Sequence, residues 1–286
     1  MKLIGVIVTY NSNLEKLSSI FKALTGEIEL LVSDNSTSTE LSQKIKKLCE
    51  ECGVGYVSMK GNVGIAKAQN EGIKMALQMG FEDILLLDDD SLPHKNMVEI
   101  LFKTRQLITS QYGQLPVICA NPCDADGHSL AKYGKKIADS VFICRDITSS
   151  GTLLNKTHFD IAGLHEERLF IDCVDFEWGW RAKSKKILII LAQNAILGHE
   201  LGTGKVDLIN ARSGSPIRHY YQFRNILFMC TRKYTPFSWK VSQILKLLVK
   251  YFVLIPFCFD EKSLRFKYAS MGVRDFLLGR YGSIAL

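Results

Sequence analysis

Leu85-Leu86-Leu87-Asp88-Asp89-Asp90 is an apolar run that stops at three consecutive carboxylates, and its reading decides the fold. One Asp at a strand end makes a turn. Three concentrate negative charge at the strand's carboxyl tip, which is unfavourable unless a cation neutralises it. In open α/β sheets that tip is also where ligands bind. Alternation along an extended chain puts the Asp88 and Asp90 side chains on one side. Oxygen donors of this kind suit Mg²⁺ or Mn²⁺ shared with substrate phosphates. The competing reading is a solvated turn in which Asp89 and Ser91 cap the next helix.

Upstream, apolar runs alternate with helical patterns. Residues 2–8 form a strand, and Leu14, Leu17, Ile20, Phe21 and Leu24 keep helical spacing. A second strand covers Ile28 to Val32, a Lys- and Glu-rich helix 39–52, and a short strand Val54 to Ser58. Gly64 to Met79 reads as a helix and Ile84 to Leu87 as the fourth strand. This alternation indicates βαβ units and a parallel sheet. The loop after the first strand is Val8-Thr9-Tyr10-Asn11 rather than a Gly-rich fingerprint, which argues against a dinucleotide dehydrogenase.

Beyond the triple Asp the pattern is mixed. A helix is expected near 94–110, with short strands near 116–120, 141–145, 150–154 and 187–197. The Gly/Ser-rich stretch from Gly202 to Pro216 reads as a mobile loop, followed by helices near 217–232, 237–255 and 262–278.

The chain has 286 residues, 47% of them hydrophobic, and a net charge of +7. That charge is uneven: from Arg212 onward there are 13 Lys/Arg against 3 Asp/Glu, and 15 of the 28 aromatics. A basic, aromatic tail on a mildly acidic body points to an anionic membrane surface or to nucleic acid. Leu3 to Val8 is too short for a secretory apolar region and reads as a strand. The eight cysteines form no framework, which suits a reducing compartment. Cys49-Glu-Glu-Cys52 has metal or redox spacing but lacks a second ligand pair.

On a helical wheel Ile244, Leu245, Leu248, Tyr251, Phe252 and Ile255 share one face, opposite Ser242, Gln243, Lys246 and Lys250. The longest charge-free run there, Tyr251 to Phe259, falls far short of the roughly 20 residues that span a bilayer. The helix is therefore either interfacial or packed on the body, and the surplus of cations favours peripheral membrane contact.

Three further segments carry chemistry. Asp34, in Val32-Ser33-Asp34-Asn35-Ser36, is placed to accept hydrogen bonds from a pyrimidine imide or a ribose hydroxyl, or else to make an Asx turn. Asn62-Val-Gly64-Ile-Ala-Lys67-Ala-Gln-Asn70-Glu-Gly72 opens a helix with small residues, which lets a ligand approach its N-terminus. Phe170-Ile171-Asp172-Cys173-Val174-Asp175-Phe176-Glu177-Trp178-Gly179-Trp180-Arg181 sets acids among aromatics, and Glu177 can pair with Arg181 one turn on. Asp175 is a candidate general base there. His199, after Ala195-Ile-Leu197, is a candidate third metal ligand.

In this order the motifs resemble glycosyltransferase family two: inverting enzymes with the GT-A fold, a mostly parallel central sheet flanked by helices. The bacterial rhamnosyltransferases of polysaccharide and O-antigen assembly are the most similar branch. The resemblance spans about residues 3–230. It implies a catalytic domain over 1–215 and a helical C-terminal region over 216–286. It implies that Thr9, Tyr10, Asn11, Asp34, Asn62, Gly64, Lys67, Asp88 and Asp89 hold the donor nucleotide, with Arg218, Tyr220, Tyr221, Arg224 and Asn225 clamping the leaving diphosphate. Asp88, Asp90 and His199 would bind Mg²⁺ or Mn²⁺. Asp175 would be the catalytic base, with Asp172 as rival, and Thr152, Asp172, Glu177 and Trp178 would meet the acceptor, Ser149 to Thr152 lying beside the donor sugar.

The expected donor is dTDP-L-rhamnose and the expected acceptor a glycan or lipid-linked oligosaccharide at the cytoplasmic face of the cell membrane, with no nucleic-acid partner. UDP-galactofuranose, UDP-glucose or UDP-GlcNAc remain alternative donors. A nucleotidyltransferase would need a basic phosphate loop that Val8-Thr9-Tyr10-Asn11 does not supply. A non-enzymatic nucleic-acid or membrane-binding protein would leave the triple Asp unexplained.

Overall fold

A computed structural model describes residues 2–144, 146–199, 205–206, 211–212 and 215–284, with backbone alone for 199, 205–206 and 211–212. The chain divides into two compact units: residues 1–165 with 182–200, and residues 166–181 with 201–286. The second unit takes in 166–181, which the resemblance assigns to the catalytic domain over 1–215.

The first unit opens with β1 (Leu3–Thr9), buried at every position, as a strand covered on both faces must be. Next come α1 (Leu14–Leu24), β2 (Glu29–Asp34), α2 (Thr39–Cys52), β3 (Gly55–Ser58), α3 (Ile65–Gln78) and β4 (Asp83–Asp88). Local signals set these limits. The Asn13 side chain caps α1 by accepting from Glu15 and Lys16, Ser38 caps α2, and left-handed Gly53 ends it. The chain continues through β5 (Ser91–Pro93), α4 (Met97–Tyr112), β6 (Val117–Cys123), β7 (Tyr133–Ala138), β8 (Val141–Cys144), β9 (Thr152–Asn155) and α5 (Lys156–Ala162). After α6 (Val174–Ser184), the strand β10 (Ile189–His199) returns to the first unit.

Among the described residues these strands form one ten-stranded sheet ordered β3-β2-β1-β4-β9-β6-β10-β8-β7, with β5 against β10. The parallel expectation holds for β3-β2-β1-β4. It returns between β6 and β10, which also pair parallel, and is interrupted by β9, antiparallel to both β4 and β6, and by β8, antiparallel to β10. Leu3 and Ile7 of β1 join a core with Leu17, Phe21, Ile45 and Leu101. Val6 faces the other way, and a Cβ on Gly72 of α3 would stand 2.5 Å from its Cγ1. Gly72 therefore lets α3 press onto the sheet.

The second unit holds the start of α6, then α7 (Pro216–Cys230), α8 (Phe237–Val249), a π-helical turn at Lys250–Leu254, α9 (Ile255–Phe257) and α10 (Lys262–Leu277). Phe223, Ile226, Leu247, Ile255, Phe259 and Ala269 form its core. Of the expected loop at Gly202–Pro216, the backbones of Lys205–Val206 and Ala211–Arg212 pair antiparallel. The rest, apart from Ser215 and Pro216, lies outside the described residues.

The expected apolar face of α8 is turned. Ile255 is fully buried and the Tyr251 hydroxyl bonds Ser270, while Val241, Leu245, Leu248, Val249, Phe252 and Val253 are exposed.

Candidate functional site

Strand register gathers the polar tips of the parallel strands. Thr9 stands beside Asp34, Asp34 beside Ser58, and Val8 beside Asp88, so the loops after β1, β2, β3 and β4 emerge along one edge. This is the edge at which open α/β sheets take ligands. Side chains knit the loops together. The Asn11 amide oxygen accepts from the Thr37 N–H at 3.1 Å, and its own N–H donates to Ser36 Oγ at 2.9 Å. Asn35 donates to Asn62 at 3.0 Å and accepts from the Val63 N–H at 2.7 Å, while Asn62 accepts from the Gly64 N–H at 3.0 Å. Tyr10 and Asn62 remain exposed on these loops, and Lys67 is exposed in the first turn of α3.

Asp34 sits where a nucleoside-binding carboxylate is expected, but protein donors already meet it. Oδ1 accepts from Thr9 Oγ1 at 2.9 Å and from the Ser36 N–H at 3.1 Å; Oδ2 accepts from Tyr56 Oη at 2.8 Å and from Ser42 Oγ. Burial pushes its pKa up, yet hydrogen bonds from Ser36, Ser42, Tyr56 and Thr9 outweigh that and hold it below the ordinary value. With 1% exposure, Asp34 is the hub that fixes the loops.

The three carboxylates differ in kind. Asp89 turns inward and accepts from the Tyr10 N–H at 3.0 Å and from Ser12 Oγ, and burial raises its pKa. It braces the β1 loop. Asp88, whose N–H donates to Ser150 Oγ at 3.0 Å, is half-buried, and Asp90 is exposed. The backbone of β10 runs antiparallel past β5 with His199 opposite Ser91, so His199 is in register one residue from Asp90. Its side chain lies outside the described residues. Asp88 and Asp90, with this backbone register, fit a divalent ion that prefers oxygen donors. The one cluster of His, Cys and acidic atoms close enough for an ion among the described residues is Asp124, Asp126 and His128. Asp124 there accepts from the Asp126 and His128 N–H groups, as a turn requires.

Thr152, expected at the acceptor, is 1% exposed and its hydroxyl donates to the Thr148 carbonyl at 2.5 Å. Beside it Gly151, at φ +76°, leaves room for Ala120, whose Cβ would stand 2.7 Å from an added methyl. Cys49 faces the core, and burial pushes its thiol up to about 12, which removes the metal or redox reading of Cys49 and Cys52. A cleft of about 540 Å³ lined by Lys2, Thr25, Glu27, Glu29 and Cys52 lies at the opposite, amino ends of the strands and gathers no comparable constellation.

In the second unit the acidic motif separates into roles that its sequence does not reveal. Glu177, 1% exposed, takes two parallel bonds from Arg181, at 2.9 and 2.8 Å, and one from the Tyr234 hydroxyl. Trp178 is equally buried. Asp172 is held by Arg218, with Nη2 at 2.7 Å from Oδ1. Arg224 is fully buried and donates to Asn225, Tyr220 and the carbonyls of Gly282, Arg168 and Leu169. Tyr220 bonds Asp275 at 3.0 Å. The structure thus places Tyr220, Arg224 and Asn225, expected at the leaving diphosphate, in a buried network within the second unit. Asp175 stands in the first turn of α6, half-buried. Sequence reasoning missed Ser12, Ser42, Tyr56 and Tyr234. Each acts through a partner remote in sequence, and no local pattern marks them.

Comparison with known proteins bears on both units. Residues 6–106 match the glycosyl transferase family 2 model. The chain is 29% identical over 258 residues, 86% of its length and 85% of the relative's, to the dTDP-rhamnosyl transferase RfbF of Shigella flexneri. Its fold is similar to that of S. aureus TarS 1–349 in complex with UDP-GlcNAc, with TM-score 0.51 and 16% identity, covering 97% of this chain and 81% of that one. It is also similar to GalNAc-T7 with UDP, GalNAc and Mn²⁺, with TM-score 0.57 and 13% identity, covering 87% of this chain and 56% of the other, whose length it spans by little more than half.

Proposed function

We propose that this glycosyltransferase, whose residues 6–106 form a family 2 domain, moves L-rhamnose from dTDP-L-rhamnose to a glycan or lipid-linked acceptor with inversion at the anomeric carbon. The observation that carries the proposal is the edge where Asp88 and Asp90 end β4 beside the loops of β1 and β2. The similarity to a dTDP-rhamnosyl transferase over most of the chain supports the donor. The reaction belongs at the cytoplasmic face of the bacterial cell membrane, in polysaccharide assembly.

Asp88, Asp90 and His199 would hold Mg²⁺ or Mn²⁺, which when bound neutralises the charge that develops on the leaving diphosphate. Tyr10 offers an exposed ring to the base, and Asn11 and Asn62 fix the loops around it. Lys67, exposed in the first turn of α3, supplies a cation to the diphosphate, Arg224 being buried among main-chain carbonyls and Arg218 paired with Asp172. Asp175 takes the proton of the acceptor hydroxyl. That oxygen forms the new bond to the anomeric carbon as the bond to the diphosphate oxygen breaks, and dTDP leaves.

Calorimetry of dTDP and UDP, with and without Mn²⁺, tests this on the wild type and Asp90→Ala. Metal-dependent binding that prefers dTDP and is lost in the variant supports it. A UDP preference overturns rhamnose while keeping sugar transfer, and no nucleotide binding overturns the enzyme reading.

A further inference from the structure

In the second unit one face of the α8 helix is left open to solvent although it is strongly apolar. Phe237, Val241, Leu245, Leu248 and Phe252 recur every three or four residues, the interval of a single helical face. Val249, Val253 and Phe257 form a second row spaced by four. Exposure is 79% at Phe237, 64% at Phe252 and 77% at Phe257, the last beyond the π-helical turn. The opposite face does the packing: Leu247 and Ile255 sit in the core with Phe223 and Phe259. The open ridge is therefore surplus to folding. Contiguous exposed apolar surface of this kind marks an interaction site.

Charge selects the occupant. From Arg232 to Phe259 the chain carries five cations, Arg232, Lys233, Lys240, Lys246 and Lys250, and no carboxylate. Lys233 and Lys246 are exposed, whereas Lys250 is tied to Gln222 at 2.7 Å. An apolar face flanked by lysines matches a bilayer surface that bears anionic headgroups. No helix among the described residues is long and apolar enough to cross a membrane, so the helix would lie in the interface plane.

We propose that the α8–α9 ridge, led by Phe237, Phe252 and Phe257 with Lys233 and Lys246 at its margins, seats this protein on an anionic lipid bilayer. The purpose of this docking rests on the lipid-linked acceptor proposed above; its evidence does not. The ridge differs from the face that the sequence pattern alone marks out, because Ile255 and Tyr251 are spent on packing.

Flotation of the full chain tests the proposal, with vesicles of phosphatidylcholine and of phosphatidylcholine mixed with phosphatidylglycerol. The wild type is expected to float with the mixed vesicles and to release them as salt rises. Phe252→Ser combined with Phe257→Ser removes two exposed rings and should weaken the partition by at least about tenfold. Lys233→Glu combined with Lys246→Glu should abolish the preference for anionic vesicles. All four positions are solvent-facing, and circular dichroism checks that the variants fold. Nucleotide binding, measured separately, should not move, so a failure of docking is distinct from a failure of the transferase reading. Absence of vesicle binding by the folded wild type overturns the proposal. So does undiminished binding by the phenylalanine variant. If that variant instead splits a dimer on gel filtration and leaves flotation unchanged, the ridge seats a second copy of the chain and the lipid proposal falls.

Discussion

The side-chain amide of Asn225 donates to the main-chain carbonyl of Ile171 at 2.6 Å, and this contact ties the middle of α7 to the segment that launches α6. The same amide reaches the carbonyls of Leu169 and Asp172. The segment needs holding: Phe170, Asp172 and Cys173 have φ of 64°, 64° and 65°, a region that side chains with a Cβ rarely adopt. Asn225→Ala leaves these carbonyls without their donor and releases the strain. It should destabilise the protein by about 2–4 kcal/mol and lower kcat more than KM, because Asp175 begins the helix that the segment positions. Urea unfolding and steady-state kinetics read the two effects.

His219 gives the stability a pH dependence. Burial depresses its pKa to about 4 from 6.5, and the charges of Lys250 and Arg265 add to the effect. Between those values the unfolded chain binds a proton that the folded one refuses. Its contribution is complete above pH 6.5 and is lost as the pH falls to about 4, amounting to about 3 kcal/mol over that window. His219→Gln should flatten this limb of a plot of unfolding free energy against pH.

Asp34 acts at lower pH. Its pKa is depressed, so its contribution is present above the ordinary value of 3.8 and disappears as the pH falls below it through the folded value. Asp89, raised by burial, works in the opposite sense. Asp34→Asn should cost about 1–3 kcal/mol at neutral pH, from lost charge-assisted hydrogen bonds, and should weaken the acid dependence seen in thermal unfolding.

Glu177 should behave as a structural carboxylate. Glu177→Ala strands the Arg181 guanidinium and the Tyr234 hydroxyl in a buried setting, at a cost of about 3–5 kcal/mol. Tyr234→Phe should cost only about 1–2 kcal/mol. If Glu177 instead met the acceptor, a folded Glu177→Gln enzyme would show a raised acceptor KM with little change in melting temperature.

Asp175→Asn should lower kcat by about 10²- to 10⁴-fold with donor binding unchanged, as expected of a general base. Asp172→Asn, which loosens the Arg218 pair, should have a smaller effect on kcat and a clear one on stability. Equal losses of kcat in both would remove the distinction between them.

Much of the first unit was legible because its signals are local. The helix at 39–52 matches α2 at both ends, where Ser38 caps it and Gly53 leaves in the left-handed region. The strands from β1 to β4 are apolar runs that only a doubly covered sheet explains. β5 was invisible, since three residues, Ser91–Pro93, carry no periodicity. β7 was hidden by Lys135 and Lys136, which suit an edge strand but break an apolar pattern. At the site, residue type located the carboxylate-tipped edge but not the direction of each side chain. No local pattern shows that Arg224 donates to the carbonyls of Gly282 and Leu169, more than fifty residues away. The burial of Thr152 and Trp178 was hidden for the same reason: it is a tertiary property.

The antiparallel β9 has a consequence for how the chain is made. It fills the gap between β4 and β6, yet it is synthesised only at Thr152–Asn155, some thirty residues after β6 ends at Cys123. Until then a nascent chain holds two apolar strands with unpaired edges facing one another across an empty lane. That is an invitation to pair with a neighbouring polypeptide. The ribosome should therefore be safest when it moves quickly from Cys123 to Asn155. A pause within that interval, introduced by rare codons, should lower soluble yield without altering a single residue of the finished enzyme.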